Sequence, residues 1–589
     1  MSRSAAIPVS LGDNFALYHP SFGDTGYVMC GAWGFAELCS RKFLRILADD
    51  LAAAGFPVLR IDYPGTCNML DPEPDTGLDG WVQTAADGAR RLREISGCRR
   101  VLFFGLNIGS TVALMASQAL GDVEGVILAD PVFSGRRYMR ELQLHAQMTD
   151  EGLGVALSGK KGETGFSGFK MSEKLQAELK AINVGKLELT SHPRCLVLMR
   201  TGDGNDMEMA DQIEAKGCPV ERETFDGYGQ LMGTPATSII SDKVIADVIA
   251  WSKTHFEPRK GPEGRPVRAD AGPVILNGEG FTEQPVTFGP DNRYFGVLCR
   301  PKEETGAPVA VFLNAAYNHT VGWGRIWVRA SRYLAARGIP SFRFDFANIG
   351  ETPPTDGEPD RILYTAGQGH DLKTATDFLT ETLPNPIYLV GRCLGAWASF
   401  HYAHSDPRIR GMMLINQLTL VEKSNYNIDE ALVSGARPME EYRHRARSLS
   451  TLKRLVTGKV DVVMAGRHIL GHFNDRIAHS FAPYLGTLTE TGRNRRECLG
   501  IFETHARRSV PVHIVNSEND GSLDEFASYF GADFSGLKAY PNVTQTIIPN
   551  ADHNLTPEDA QQHLLSLLDD ILHDPRWRDA EAARAQAAE

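Results

Sequence analysis

The chain carries one stretch of sequence twice. Residues 51–65 read LAAAGFPVLRIDYPG, and residues 334–350 read LAARGIPSFRFDFANIG. Each copy predicts the end of a helix, a glycine that terminates it, and a buried strand that ends in an aspartate, Asp62 or Asp345. These aspartates lie 283 positions apart. A repeat on this scale indicates that a whole domain has been duplicated, so we expect two related folds in one chain.

A second landmark recurs at nearly the same offset. An apolar run leads into GLNIG (residues 105–109) in the first half and into GRCLG (residues 391–395) in the second. Asn107 and Cys393, at the centres of these pentapeptides, lie 286 positions apart. A helical pattern follows each one. Strands that alternate with helices in this way predict the α/β class, with two mostly parallel sheets flanked by helices.

A linker separates the two halves. Residues 257–272 are rich in proline, glycine and charge and have no apolar periodicity. The predicted domains are therefore residues 1–256 and residues 273–589.

Composition narrows the classes of function. The 589 residues carry a net charge of −12, which argues against nucleic-acid binding. No secretory signal and no apolar run of membrane-spanning length is present. Nine scattered cysteines without a CxxC pair predict reduced thiols, a cytoplasmic location and no disulfides. No metal-ligand spacing was found, and we expect neither a metal nor a cofactor.

Gly-x-Cys-x-Gly between a strand and a helix is typical of a nucleophile elbow. The turn strains its central residue, and the glycines let strand and helix pack closely. The helix N-terminus then favours a thiolate at Cys393. The pentapeptide alone fits a buried structural cysteine equally well.

The elbow, a later strand that ends in aspartate, and a late histidine together resemble the α/β-hydrolase superfamily over most of both halves. Residues 312–352, FLNAAYNHTVGWGRIWVRASRYLAARGIPSFRFDFANIGET, resemble more narrowly the α/β-hydrolases of exosortase and exopolysaccharide loci, which also carry a cysteine-centred elbow. The resemblance implies a triad in the chain order nucleophile, acid, histidine.

The second half offers a residue for each of these positions. Cys393 comes first, Asp520 follows the strand at residues 511–517, and His553 follows the last strand. Glu518 is a weaker candidate for the acid. In this triad His553 takes the thiol proton, Asp520 orients the imidazole, and Cys393 forms a thioester with the acyl group.

The superfamily also implies two backbone donors for the oxyanion. One is the N–H of Leu394, directly after the nucleophile. The other comes from the loop after the strand at residues 308–314, where we expect Ala316 to supply it. Asp345 is interpreted as structural, because it ends a strand before the elbow.

The first half departs from the pattern. Asn107 stands at the nucleophile position, Asp203 at the acid position and Gln230 at the histidine position. An amide is not a nucleophile here, so we expect a non-catalytic, degenerate domain. The alternative is that its cleft still binds a ligand.

The second half has about 31 more residues than the first between nucleophile and acid, which predicts a lid at about residues 418–508. This lid is rich in arginine, with histidines interleaved. It is either a solvated helical cap or a basic rim that steers an anionic acyl donor, such as a phosphopantetheine thioester or an acidic glycan. Its basic residues are Arg437, Arg443, His444, Arg445, Arg447, Arg454, Arg467, His468, His472, Arg476, His479, Arg493, Arg495, Arg496, Arg507 and Arg508, of which Arg493, Arg495 and Arg496 are the candidates for substrate binding.

The sequence therefore predicts an acyl-transfer enzyme, either a hydrolase or thioesterase or an acyltransferase, acting on an ester or thioester carried by coenzyme A or a carrier protein. Two other enzyme classes stay open: a polyester-synthase-like acyltransferase, which the Gly-x-Cys-x-Gly box also resembles, and a dienelactone-type hydrolase. A non-catalytic scaffold is the alternative outside enzymes. The sequence is compatible with a homo-oligomer.

Overall fold

A computed structural model describes residues 6–153, 165–202, 204–235, 238–259, 272–355, 363–422 and 486–577. The chain divides into two compact units. The first unit consists of Met1–Gln147, Gly159–Glu304 and Tyr317–Asp360, and the second of Met148–Ser158, Thr305–Ala316 and Arg361–Glu589.

The first unit contains an eight-stranded sheet in the order β1-β2-β4-β3-β5-β6-β9-β10. Strand β2 pairs antiparallel with β1 and β4, and the remaining pairs are parallel. A separate small hairpin is formed by β7 and β8. The strands are β1 (Ile7–Leu11), β2 (Asn14–His19), β3 (Thr25–Cys30), β4 (Val58–Ile61), β5 (Arg100–Leu106), β6 (Gly125–Ala129), β7 (Gly165–Phe166), β8 (Phe169–Lys170), β9 (Arg194–Met199) and β10 (Val220–Thr224).

Helices follow these strands along the first half. They are α1 (Phe35–Ala53), α2 (Gly77–Ser96), α3 (Ile108–Leu120), α4 (Gly135–Leu153), α5 (Glu173–Ala181), α6 (Gly204–Ala215), α7 (Tyr228–Leu231) and α8 (Asp242–Phe256). Successive strand residues point to opposite faces of a sheet, and both faces of this one are buried. In β3, Tyr27 and Met29 join one hydrophobic cluster, whereas Val28 and Cys30 join another.

The described residues of the second half supply nine further strands. In the first unit β11, β12, β13 and β15 pair antiparallel in that order. In the second unit β14, β16, β17, β18 and β19 pair in parallel in that order, so their carboxyl ends share one edge. The strands are β11 (Leu276–Asn277), β12 (Phe281–Phe288), β13 (Tyr294–Pro301), β14 (Val309–Leu313), β15 (Ser341–Phe344), β16 (Ile387–Arg392), β17 (Ile409–Ile415), β18 (Val512–Ser517) and β19 (Val543–Ile548).

The described helices of the second half connect these strands. They are α9 (Ile326–Ala335), α10 (Ala366–Thr382), α11 (Leu394–Tyr402), α12 (Glu490–Arg507), α13 (Ser522–Phe530) and α14 (Glu558–Leu572). Among the described residues, no helix combines the length and the apolar character that a membrane span requires.

The predicted α/β class, with large, mostly parallel sheets flanked by helices, is confirmed by these strand orders. The antiparallel strands β11 to β13 were not expected from the sequence. Helix α8 ends at Phe256, where the first domain was predicted to end. Residues 260–271 of the linker and residues 423–485 of the lid lie outside the described residues, and the domain boundaries stay a prediction.

The compact units do not follow the repeat. Residues 317–360 belong to the second copy by sequence, yet they lie in the first unit. A buried ion network holds them there: the Glu351 carboxylate accepts hydrogen bonds from Arg60, at 2.9 Å to Nη2, and from Arg41. His319 Nε2 lies 3.1 Å from Glu37 of α1. Ion pairs therefore join residues 317–360 to β4 and α1 of the first copy.

Candidate functional site

Cys393 lies at a sharp turn between β16 and α11. Its φ is 52° and its ψ −108°, a conformation that strains a residue with a side chain. The two flanking glycines are required by close backbone contacts. A Cβ at Gly391 would lie 2.2 Å from the Gly395 carbonyl oxygen, and one at Gly395 would lie 2.4 Å from the Leu313 carbonyl oxygen. The local geometry is that of the predicted elbow.

Asp520 and His553 follow the neighbouring strands β18 and β19 and meet at the same edge of the sheet. His553 Nδ1 donates to Asp520 Oδ2 at 2.7 Å, and the carboxylate is fully buried. The other oxygen, Oδ1, accepts from the backbone N–H of Ser522 at 2.9 Å. With Nδ1 committed to Asp520, the Nε2 atom is left to exchange a proton with Cys393.

The electrostatics favour a charged imidazole. Burial alone disfavours the imidazolium, but the negative charges of Asp520 and Cys393 and their hydrogen bonds outweigh it and raise the pKa of His553 to about 10. A pKa in this range favours the imidazolium form of His553 at neutral pH. The structure brings Cys393, His553 and Asp520 together.

The two predicted oxyanion donors follow neighbouring strands of one sheet, at the same edge. Leu394 is the first residue of α11, so its N–H has no acceptor within the helix. Ala316 follows β14, which pairs with β16 in the register Leu313 to Gly391. Ala316 is buried and has a φ of 41°, which is unusual for alanine and shows that the loop is held in a strained turn.

Glu518, the weaker candidate for the acid, and Asp345, interpreted as structural, both make contacts outside the triad. Glu518 Oε2 accepts from the backbone N–H of Asn550 at 2.8 Å, not from the imidazole. Asp345 belongs to the first unit, where it accepts from the backbone N–H of Glu351. Burial raises the pKa of Asp345 to about 7. This carboxyl is part of the buried network around residues 317–360, which agrees with a structural role.

The arginines proposed for substrate binding lie on α12. Arg493 and Arg496 are exposed, whereas Arg495 is half-buried and donates to the Tyr529 carbonyl at 2.8 Å. The lid residues Arg437, Arg443, Arg445, Arg447, Arg454, Arg467, Arg476, His444, His468, His472 and His479 lie outside the described residues. Within the described ranges, no group of three or more histidine, cysteine or acidic side chains is arranged to hold a metal ion.

The first half has the same kind of turn, with an amide at its centre. Asn107 has a φ of 56° between β5 and α3, and its Nδ2 donates to Asp130 Oδ2 at 2.8 Å. Tyr228 donates to the same oxygen, and Arg200 lies 2.8 Å from Oδ1. Burial raises the pKa of Asp130 to about 7. Gln230 is exposed on α7, and Asp203 lies outside the described residues.

Sequence reasoning missed a residue that holds the histidine. Asn416, directly after β17, donates from Nδ2 to the carbonyl oxygen of His553 at 3.0 Å and to Ser517 Oγ at 2.9 Å. The repeat could have drawn attention to it, because Asp130 and Asn416 lie 286 positions apart, the same offset as Asn107 and Cys393. What Asn416 contacts could not be read from the sequence.

No protein-family model and no curated protein matches the chain. Three of the solved structures to which the chain is similar are the following. A cold-adapted esterase from an Arctic intertidal metagenomic library is 15% identical, with 51% of this chain and 97% of that chain covered and a TM-score of 0.29. The thioesterase domain of the curacin biosynthetic pathway is 16% identical, with 49% and 99% covered and a TM-score of 0.28. A Pyrococcus furiosus esterase is 12% identical, with 42% and 89% covered and a TM-score of 0.30. With scores this low, the likenesses carry no argument about activity.

Proposed function

We propose that the second half of the chain is an acyl-transfer enzyme that works through Cys393, His553 and Asp520. The observation that carries this proposal is the 2.7 Å bond between His553 and a buried Asp520, placed beside a cysteine at a strained strand–helix turn. A structural cysteine needs neither the strained turn nor a charged histidine beside it.

The reaction begins with attack of the Cys393 thiolate on the acyl carbonyl. The C–S bond forms, and the negative charge moves to the carbonyl oxygen, which the N–H groups of Leu394 and Ala316 stabilise. When the tetrahedral intermediate collapses, the bond to the leaving group breaks and His553 gives its proton to that group. The product is a thioester on Cys393 and a neutral imidazole.

The neutral His553 then accepts a proton from the acyl acceptor. That acceptor, a water, a hydroxyl or an amine, attacks the thioester, and the thiolate of Cys393 leaves. Asp520 stabilises the imidazolium that forms again. A thioester intermediate exchanges readily with thioester donors, so acyl thioesters and activated esters are the donor class that the cysteine favours.

The first half is proposed to be non-catalytic. Asn107 stands at the nucleophile position of its turn and donates to Asp130, and an amide is not a nucleophile. Gln230, at the histidine position, is exposed and cannot act as a base. The amide of Asn107 is already committed to a buried carboxyl group, so we assign this domain a supporting role.

Acylation should be confined to Cys393. We expect that incubation with a panel of acyl thioesters and activated esters adds one acyl group, which mass spectrometry of the digest locates on the Cys393 peptide. All nine cysteines are buried, Cys393 included, and burial raises the pKa of Cys30 and of Cys98. The Cys393→Ala variant is the control. Adducts on Cys30 or Cys98 in place of Cys393 would contradict the proposal.

The exposed arginines of α12 are proposed to attract an anionic donor. We expect the variant R493Q/R496Q to raise KM for a charged acyl thioester about threefold to tenfold, to leave kcat nearly unchanged, and to flatten the salt dependence of kcat/KM. Adding R495Q should matter less, because Arg495 is held by Tyr529.

The matched control is Arg507→Gln, an exposed arginine at the other end of the same helix. A short uncharged ester should be affected far less by R493Q/R496Q than the charged donor. Equal losses on charged and uncharged donors would show that these arginines act on the structure of the helix alone.

A further inference from the structure

Arg392 is a buried arginine directly before the nucleophile, and its charge has no partner of opposite sign in its two hydrogen bonds. It is the last residue of β16 and is completely buried. Its Nη1 atom donates to two neutral oxygens, the His553 carbonyl at 3.3 Å and Asn554 Oδ1 at 2.6 Å. Within the part of the chain that the structure describes, its Nε and Nη2 groups are buried without a hydrogen-bond partner.

A buried arginine whose charge is not matched lowers the stability of the folded protein. Burial removes the hydration of a charge, and that loss is offset only by an opposite charge or by a full set of hydrogen bonds. A methionine or leucine of similar size would fill the strand end without that cost. A guanidinium kept at this place therefore points to a role in the site itself.

The first part of that role is geometric. The His553 carbonyl accepts from Arg392 at the end of β16 and from Asn416 at the end of β17. The ring of the same histidine is held by Asp520 after β18. Arg392 thus joins the residue before the nucleophile to the backbone of the base, so a single side chain couples the positions of Cys393 and His553.

The second part is electrostatic. Burial lowers the pKa of Arg392, while the negative charges of Cys393, Asp552 and Asp520 act in the opposite direction. The thiolate of Cys393 is the one of these charges that lies next to Arg392 in the chain. A fixed positive charge beneath the elbow stabilises an anion above it, whether that anion is the thiolate or the oxygen of the tetrahedral intermediate.

We propose that Arg392 is a positioning residue of the acyl-transfer site, which holds the His553 backbone and supplies the positive charge that matches the Cys393 thiolate. This inference rests on the proposed function of Cys393. Arg392 stands between Gly391 and Cys393 of the elbow. Its role is to position and stabilise the reacting groups, and it does not touch the substrate.

The test compares two alkylating agents, the anionic iodoacetate and the neutral iodoacetamide, on Cys393 in the full chain. The ratio of their rates reports positive charge near the thiolate and is insensitive to a general loss of access. We expect Arg392→Met to lower the ratio of iodoacetate to iodoacetamide rates about tenfold, the effect of losing one nearby charge in a buried site. It should also lower kcat/KM for an acyl thioester.

Arg392→Lys separates charge from geometry. We expect it to retain the rate ratio, because the charge remains, and still to lower kcat/KM, because the lysine Nζ atom lies one bond nearer the backbone than the Nη1 atom that donates to both oxygens. The matched control is Arg508→Met. Arg508 is half-buried and donates to the backbone carbonyls of Ala403 and His404, so its loss removes similar bonds away from Cys393. Its rate ratio should stay that of the unmodified protein.

An unchanged rate ratio in Arg392→Met would overturn the charge role. Unchanged kcat/KM in Arg392→Lys would overturn the geometric role. If Arg392→Met does not fold, Arg392→Gln, which keeps hydrogen-bond donors and removes the charge, takes its place, and an unchanged rate ratio in it would overturn the charge role. Failure of the acyl-transfer proposal looks different: in the unmodified protein Cys393 would then form no acyl adduct and would react no faster than Cys30 or Cys98.

Discussion

Replacing His553 by alanine is expected to slow the acylation of Cys393 by about three to six orders of magnitude, the range seen when the base of a triad is removed. The reason is that His553 both stabilises the thiolate and gives the leaving group its proton. The measurement is the rate of acyl-enzyme formation, followed by mass on the Cys393 peptide. Thermal unfolding of the variant shows whether the fold is intact.

The Asp520→Asn variant separates the acid from its neighbour. We expect a smaller loss, of about two to four orders of magnitude, because the imidazole remains but Asp520 no longer raises its pKa towards 10. Glu518→Gln is the matched control, since Glu518 accepts from the backbone of Asn550 and leaves the imidazole alone. If Glu518→Gln is slow and Asp520→Asn is not, the acid has been assigned wrongly.

The second large effect concerns stability. Replacing Glu351 by glutamine is expected to lower the free energy of unfolding by about 3–5 kcal/mol at pH 7, because it leaves the buried guanidinium of Arg60 without its carboxylate. Arg41 loses one of its acidic partners and keeps Asp62. Urea denaturation measures the change. Glu303→Gln, an exposed glutamate of the same unit, is the control and should change the free energy very little.

The pH dependence gives a second readout of the same contact. Burial would raise the pKa of Glu351, but Arg60 and Arg41 outweigh it and hold that pKa well below its ordinary value. A carboxyl with a lowered pKa contributes its full stability above the ordinary value of 4.5 and loses it as the pH falls. The difference between Glu351→Gln and the unmodified protein should therefore shrink below about pH 4.5. A difference that is the same at pH 3 and pH 7 would contradict a charged Glu351.

Local pattern was enough to predict the α/β class and the two tight turns. Apolar runs such as residues 387–390, with glycines on either side of Cys393, fix a strand, a tight turn and a helix, because each depends on neighbours in sequence. The resemblance to the α/β-hydrolase superfamily, and not local pattern, pointed to Asp520 and His553, since its triad order implies an acid and then a histidine after late strands. The catalytic roles of these residues stay proposals.

The sequence by itself determined the α/β class, the repeat, the two turns and the chain order of Cys393, Asp520 and His553. The tertiary structure alone decided what the buried charged side chains contact. Arg392 donates to the backbone carbonyl of His553, and Glu351 pairs with Arg41 and Arg60. It also decided that residues 317–360 belong to the first compact unit. Turns and periodicity are properties of adjacent residues, whereas a buried ion pair joins residues hundreds of positions apart, and its energy depends on burial that only the folded chain creates.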